Sequence, residues 1–137
     1  MATFPFELVS PTRLVHSGEV DEVIVPGAEG EFGVFANHAP FVSTLKPGIL
    51  TIKAAGGEKR LYVRDGFVDV NPRGLIVLAE VAVPVEEIDT AAMAREVEAA
   101  EAALATAKEG PERDKAALRL DQMKSAAAAL GAVKTAH

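Results

Sequence analysis

Beyond Pro84 the chain all but stops using glycine and proline as punctuation, and that change limits the folds open to it. Of 11 glycines only Gly110 and Gly131 lie past that point, and of 8 prolines only Pro111. Before it, β-rich runs alternate with turn residues: FELV, DEVIVPG, EFGVFA, FVSTL, GILTIKAAGGEKRLYVRDG, FVDVNPRG and LIVLAEVAV. This is the spacing of an all-β sandwich or barrel. After it Ala, Glu, Lys and Arg dominate, residues that favour helix. The expected class is therefore α+β. Residues 1–86 should form an N-terminal sandwich of about ten short strands, and residues 87–137 an antiparallel two-helix hairpin. A chain of 137 residues has material for one domain with an appendage, and the appendage has little core of its own.

Turn chemistry places the connections. Gly56-Gly57 joins ILTIKA to KRLYV in a hairpin, because glycine tolerates the positive φ of a tight turn. Asp65-Gly66 and Asn71-Pro72-Arg73-Gly74 should break the runs around FVDV, making FVDV and LIVLAEV antiparallel neighbours. Strand order is not given by these signals.

The helical half carries its own boundaries. Asp89 is the expected N-cap of the first helix, with Ile88 and Met93 placed to form a hydrophobic staple. That helix should run to about Lys108. Gly110-Pro111 supplies a stop and a start, and the second helix should run to about Leu130 before Gly131. Met93, Val97, Ala100, Leu104 and Ala107 form one apolar row, and Ala116, Leu120, Met123, Ala127 and Leu130 the other, both stepping by four and three. Residues 89–109 hold five acids against two bases, and residues 111–134 five bases against three acids, which favours antiparallel pairing weakly. The seam is rich in Ala, which buries less surface than Leu or Ile at ~25 cal/mol per Å². Two readings follow: a hairpin that moves as a unit, or an ordinary fixed one.

Composition excludes several classes. Without Cys there is no disulfide framework, thiolate nucleophile or Cys-ligated zinc. MATFPFELVS lacks the basic and apolar segments of a secretory signal, and no run approaches the ~18 apolar residues of a membrane span, so the expectation is a protein soluble by itself. A net charge of −6 argues against nucleic acid and against direct binding to anionic lipid. The three histidines, His16, His38 and His137, are too far apart for a metal motif. No GxSxG, Walker loop or strand-to-helix GxGxxG is present, so no cofactor is expected. Asp65 and Asp69 could form an acid/base pair, but carboxylates in turns and on alternating strand faces are usually just solvated. In "NHAP", Pro40 pushes Ala39 extended and Asn37 tolerates the left-handed region, so His38 reads as part of a turn rather than a base. No nucleophile is visibly paired with it.

The run EGEFGVFANHAPFVSTLKPGIL, inside a β-rich domain followed by a helical hairpin, resembles the ε subunit of bacterial F-type ATP synthases. The elements that carry it are Gly30-Glu31-Phe32-Gly33, His38-Ala39-Pro40 and Lys46-Pro47-Gly48. VSPTRLVHSGEVDEVIVPGAEGE, YVRDGFVDV and the change to helix near residue 88 extend it over nearly the whole chain.

The resemblance implies a noncatalytic rotor subunit between γ and the c ring of a proton-translocating synthase, peripheral on the cytoplasmic side of the inner (plasma) membrane. Its hairpin would fold down or extend toward the αβ hexamer and restrain ATP hydrolysis. By position, it implies a c-ring edge at Glu29 and Glu31 and a γ-facing set of Ser10, His38, Val42 and Ser43. Arg113, Lys115, Arg119 and Lys124 would meet a β subunit when the hairpin extends. Family members that bind ATP begin the hairpin with I/L-D-x-x-R-A. Ile88 and Asp89 match it, but Ala92 stands where the arginine would be and Met93 replaces the small residue, so strong ATP sensing is not expected. The alternatives are a freestanding nucleotide-sensing module and a small hydrolase using His38 with a carboxylate.

Overall fold

The computed structural model describes residues 2–135; Met1, Ala136 and His137, including the third histidine considered above, lie outside them. The eight strands are β1 (Phe4–Ser10), β2 (Arg13–Val20), β3 (Glu22–Gly27), β4 (Gly30–Phe35), β5 (Phe41–Leu45), β6 (Gly48–Ala54), β7 (Gly57–Asn71) and β8 (Gly74–Pro84). A single turn of 3-10 helix, Val85–Glu87, leads to α1 (Thr90–Thr106) and α2 (Pro111–Thr135). The α+β class and the helical hairpin are as expected.

The strands form one sheet in the order β2-β1-β8-β7-β5-β3-β4, with β6 bridging β3 and β7, folded over on itself as a sandwich. β7 makes the fold-over. Its first half pairs with β6, Gly48 opposite Val63, and its second half with β5, Leu45 opposite Gly66. Alternate residues point inward, so Phe6, Leu8, Val23, Val25, Val63 and Val68 are fully buried. Each such side chain stabilises the fold by about 1.5–3 kcal/mol.

The strand count is eight rather than about ten, and the reason lies at Asp65-Gly66. These residues do not end a strand. β7 runs unbroken through them in constant register with β8, Arg64 opposite Val81 and Gly66 opposite Ala79. Asp65 takes φ 59°, bending the strand where it passes from one partner to the other. Gly66 is required by contact, because a Cβ there would stand 1.6 Å from the Leu78 carbonyl oxygen. FVDV and LIVLAEV are antiparallel neighbours as expected, and Asn71 caps their turn by accepting a bond from Arg73 N–H at 2.8 Å.

The hairpin docks on the outer face of β6 and β7. Tyr62, Val85, Ile88, Met93, Met123 and Leu130 lie in a second apolar cluster, separate from the sandwich core, with Ile49, Val81 and Val83 packed against it. Asp89 caps α1, its carboxylate accepting from Ala91 N–H at 3.0 Å. Met93 and Ile88 share the cluster as the staple requires. Gly131 does not stop α2, which continues to Thr135. Leu130, 1% exposed, and Val133 pack on the cluster from either side of that glycine, and this burial outweighs its helix cost of about 1 kcal/mol.

Candidate interaction surfaces

The sandwich has two outer faces, and the pleat decides what each presents. On the β1-β8-β7-β5 face, cross-strand pairing lines up Val9, Leu78, Phe67 and Thr44 in one row, and Glu7, Ile76, Asp69 and Val42 in the next. Phe67 is 44% exposed and Val42 69%. Apolar side chains so exposed in adjacent rows, with acids beside them, make this a candidate interaction face. The opposite face, over β6 and the first half of β7, is the one the hairpin covers.

The four residues expected to face γ fall in different settings. Val42 stands on the open face. Ser43 follows it on β5 and therefore turns the other way, beside Val68, its hydroxyl donating to the Thr44 carbonyl at 3.1 Å. Ser10 ends β1, with its hydroxyl 3.4 Å from the Arg13 carbonyl it donates to. His38 lies exposed in the β4–β5 turn, where its backbone N–H donates to Phe35 O and its Nδ1 lies 2.8 Å from Ala39 O. Asn37 has φ 65°, the left-handed conformation the sequence suggested. Among the described residues, those lining the depression beside His38 are Thr3, Asn37 and Asn71 with apolar residues, and no carboxylate, Ser or Cys is among them.

Glu29 lies in the β3–β4 turn, and Glu31 follows on β4 opposite Pro26; both are exposed. Arg113, Lys115 and Lys124 are exposed along α2, and no ion pair engages them among the described residues. Ile88 and Asp89 have structural duties, one in the apolar cluster and the other at the helix cap. Ala92 is half-buried and Met93 buried.

Arg119 is the exception among the α2 bases. It grips the Asp65 carboxylate with both nitrogens, at 2.7 and 2.9 Å. Arg64 donates to Asp65 and also, through Nε, to Glu96 on α1 at 2.9 Å. The Tyr62 hydroxyl donates to the same Glu96 oxygen at 3.2 Å and lies 3.8 Å from the Met123 sulfur. The two-pronged bond from Arg119, with that from Arg64, holds the Asp65 carboxyl below the usual carboxylate range despite partial burial. Burial first, then the Glu96 charge, pushes the Tyr62 hydroxyl up, so it stays a neutral donor. Turn chemistry gives no sign that Asp65 pairs with Arg119, a base that the resemblance assigns to a β-subunit contact when the hairpin extends. Only the tertiary fold brings residues 54 positions apart together.

Taken together, these features define a two-part chain: a β-sandwich whose open face exposes Val42 and Phe67, with a helical hairpin pinned by ion pairs to the other face. Comparison with known proteins specifies it further. The chain belongs to the ATP synthase delta/epsilon chain family, whose β-sandwich domain matches residues 3–85. It is 50% identical over 125 residues to the ATP synthase epsilon chain of Bradyrhizobium sp. (strain BTAi1), covering 91% of this chain and 92% of that one. The epsilon chain of Nitrobacter winogradskyi is 52% identical over the same shares. Among solved structures, a chain of the Euglena gracilis mitochondrial ATP synthase, in an assembly of OSCP, F1 and c-ring, superposes with a TM-score of 0.76. That match has 30% identity and covers 95% of this chain and 82% of that one. A chain of the Tetrahymena thermophila central stalk and c-ring shares the fold at 12% identity and a TM-score of 0.64, covering 96% of each.

Proposed function

We propose that this chain is a noncatalytic central-stalk subunit of a proton-translocating F-type ATP synthase, turning with the rotor and coupling the catalytic sector to the c ring. The observation that carries this reading is the open face around Val42 and Phe67. It is an apolar sheet surface, suited to a permanent partner, on a family member whose other face its own hairpin covers. In this reading γ packs on the open face, with Ser10, His38 and Ser43 at its margin. Glu29 and Glu31 meet basic loops of the c ring. The exposed bases Arg113, Lys115 and Lys124 offer an acidic segment of the αβ hexamer a complementary surface, through which the hairpin restrains hydrolysis. No helix among the described residues is long and apolar enough to cross a membrane. Attachment to the cytoplasmic side of the inner membrane then runs through the complex.

Affinity purification of a tagged copy from detergent-solubilised native membranes tests the assignment. Co-elution of α, β, γ and c subunits with ATP hydrolysis is the expected result. Recovery of the tagged chain alone, without ATPase, would overturn it and favour a freestanding module.

A further inference from the structure

Adjacent residues of opposite charge on β7 each reach a different helix. Arg64 binds Glu96 on α1, and Asp65 binds Arg119 on α2. We infer that this crossed pair is a latch that sets how long the hairpin stays docked, with Asp65 occupying Arg119 in place of an external carboxylate. The inference concerns the chain by itself and stands whether or not the stalk assignment does.

Three observations support it. First, the apolar attachment is thin. In α1 only Met93 and Ala100 are buried, and α2 adds Met123, Ala126 and Leu130. Val97, Leu120, Ala127 and Val133 are partly buried against the same cluster, and with three Ala among these nine helix positions the charged bonds add materially to the docking energy. Second, the signs are crossed. Exchanging the helices, or sliding α2 until Arg119 meets Arg64, would set like charges together, so the arrangement admits one docked position. Third, the charges are within reach of water, the Asp65 and Arg119 side chains being 31% and 37% exposed. A competing carboxylate can therefore approach Arg119 without first unfolding the sandwich. The kind of partner that would displace Asp65 is an acidic segment able to accept the same two parallel bonds. Lys115 and the exposed Leu118 on α2 line the same depression as Arg119, which Glu112 also borders.

The backbone makes a clean test available. Asp65 has φ 59°, which Asn also tolerates, so Asp65→Asn removes the charge while keeping the bend. The chain has no Cys, so Ser17→Cys and Ser125→Cys, both at exposed positions, can carry spin labels on sandwich and hairpin. Hydrogen exchange and label-to-label distances would be measured on the full chain. In Asp65→Asn and in Arg119→Gln, α2 amides should exchange about tenfold faster or more, the equivalent of ~1.4 kcal/mol, and a longer distance should appear. Amides of β3 should keep their protection, and the double variant should go no further than either single one. Lys124→Gln, on an exposed base, should change nothing. If Asp65→Asn also loosens β3, Arg119→Gln decides alone, since it leaves the strand untouched. Exchange within twofold of the parent in Arg119→Gln would overturn the latch. So would an equal effect of Lys124→Gln, or effects of the two variants that multiply.

Discussion

Asp65 and Gly66 sit side by side on one strand and are constrained for unrelated reasons. Gly66 has no room, since any Cβ meets backbone at 1.6 Å from Leu78 O. Gly66→Ala should therefore cost about 3 kcal/mol or more in urea melts, at the upper end of overpacking effects. Gly56→Ala, which meets nothing within 4 Å, should stay within about 0.5 kcal/mol. Asp65 is constrained by charge. Its carboxyl is held below the usual range by Arg119, so its contribution is fully present above the unfolded value of about 3.9 and is lost as pH falls through the lower folded value. At pH 7, Asp65→Asn should destabilise the chain by about 1–2 kcal/mol, because charged bonds of ~1.5–3 kcal/mol are screened at a site this exposed. That gap should close as pH falls through the lowered folded value. A gap that persists in acid would mean that the amide disturbs packing and that charge is not the cause. His16 bends the same curve at milder pH. Burial, then the nearby Lys59 charge, pushes its imidazole down, so protonating it costs stability as pH falls below its ordinary range.

At the scale of elements, the hairpin and the sandwich have separate apolar clusters, and that division has a measurable consequence. Leu130, 1% exposed, anchors the end of α2. Leu130→Ala should cost about 2–4 kcal/mol, and the loss should appear as faster exchange in α2 at denaturant levels that leave β3 and β8 protected. A single shared transition would show instead that hairpin and sandwich unfold together. The same division explains what the sequence could reveal. Asp89, Gly110-Pro111 and the 3.6-residue rows are local signals, and they located both helices and most of the buried seam. Asn37 and the Asn71–Gly74 turn were legible for the same reason. Asp65-Gly66 carried an equally strong turn signal, yet β8 and β5 hold β7 in register on both sides, and the pairing overrode it. The parallel pairing of β1 with β8, Phe6 opposite Leu75, left no local trace at all. Arg119 could be singled out as a useful base, but that its partner is Asp65 of the same chain depends on docking that no spacing encodes.

For the molecule as a whole, the two outer faces differ in what stability asks of them. The hairpin-covered face contributes to folding, so changes there alter stability and docking together. The open face contributes little, because Val42 is already 69% exposed. Val42→Glu should therefore leave thermal unfolding within about 0.5 kcal/mol of the parent. Placed beside Asp69, its cross-strand neighbour, the new carboxylate would have to lose its water against any apolar partner and would repel an acid already there. If this face seats γ, Val42→Glu should weaken binding to purified γ by tenfold or more in calorimetry, equivalent to at least ~1.4 kcal/mol. Arg113→Glu on the far end of the hairpin should leave that binding unchanged. Asp69→Asn supplies the complement, since it lowers the charge of the face without removing apolar area, and should restore part of the loss in the Val42→Glu background. Equal γ affinity for Val42→Glu and the parent would move the interface off this sheet. The exposed apolar rows of β5, β7 and β8 would then need another partner.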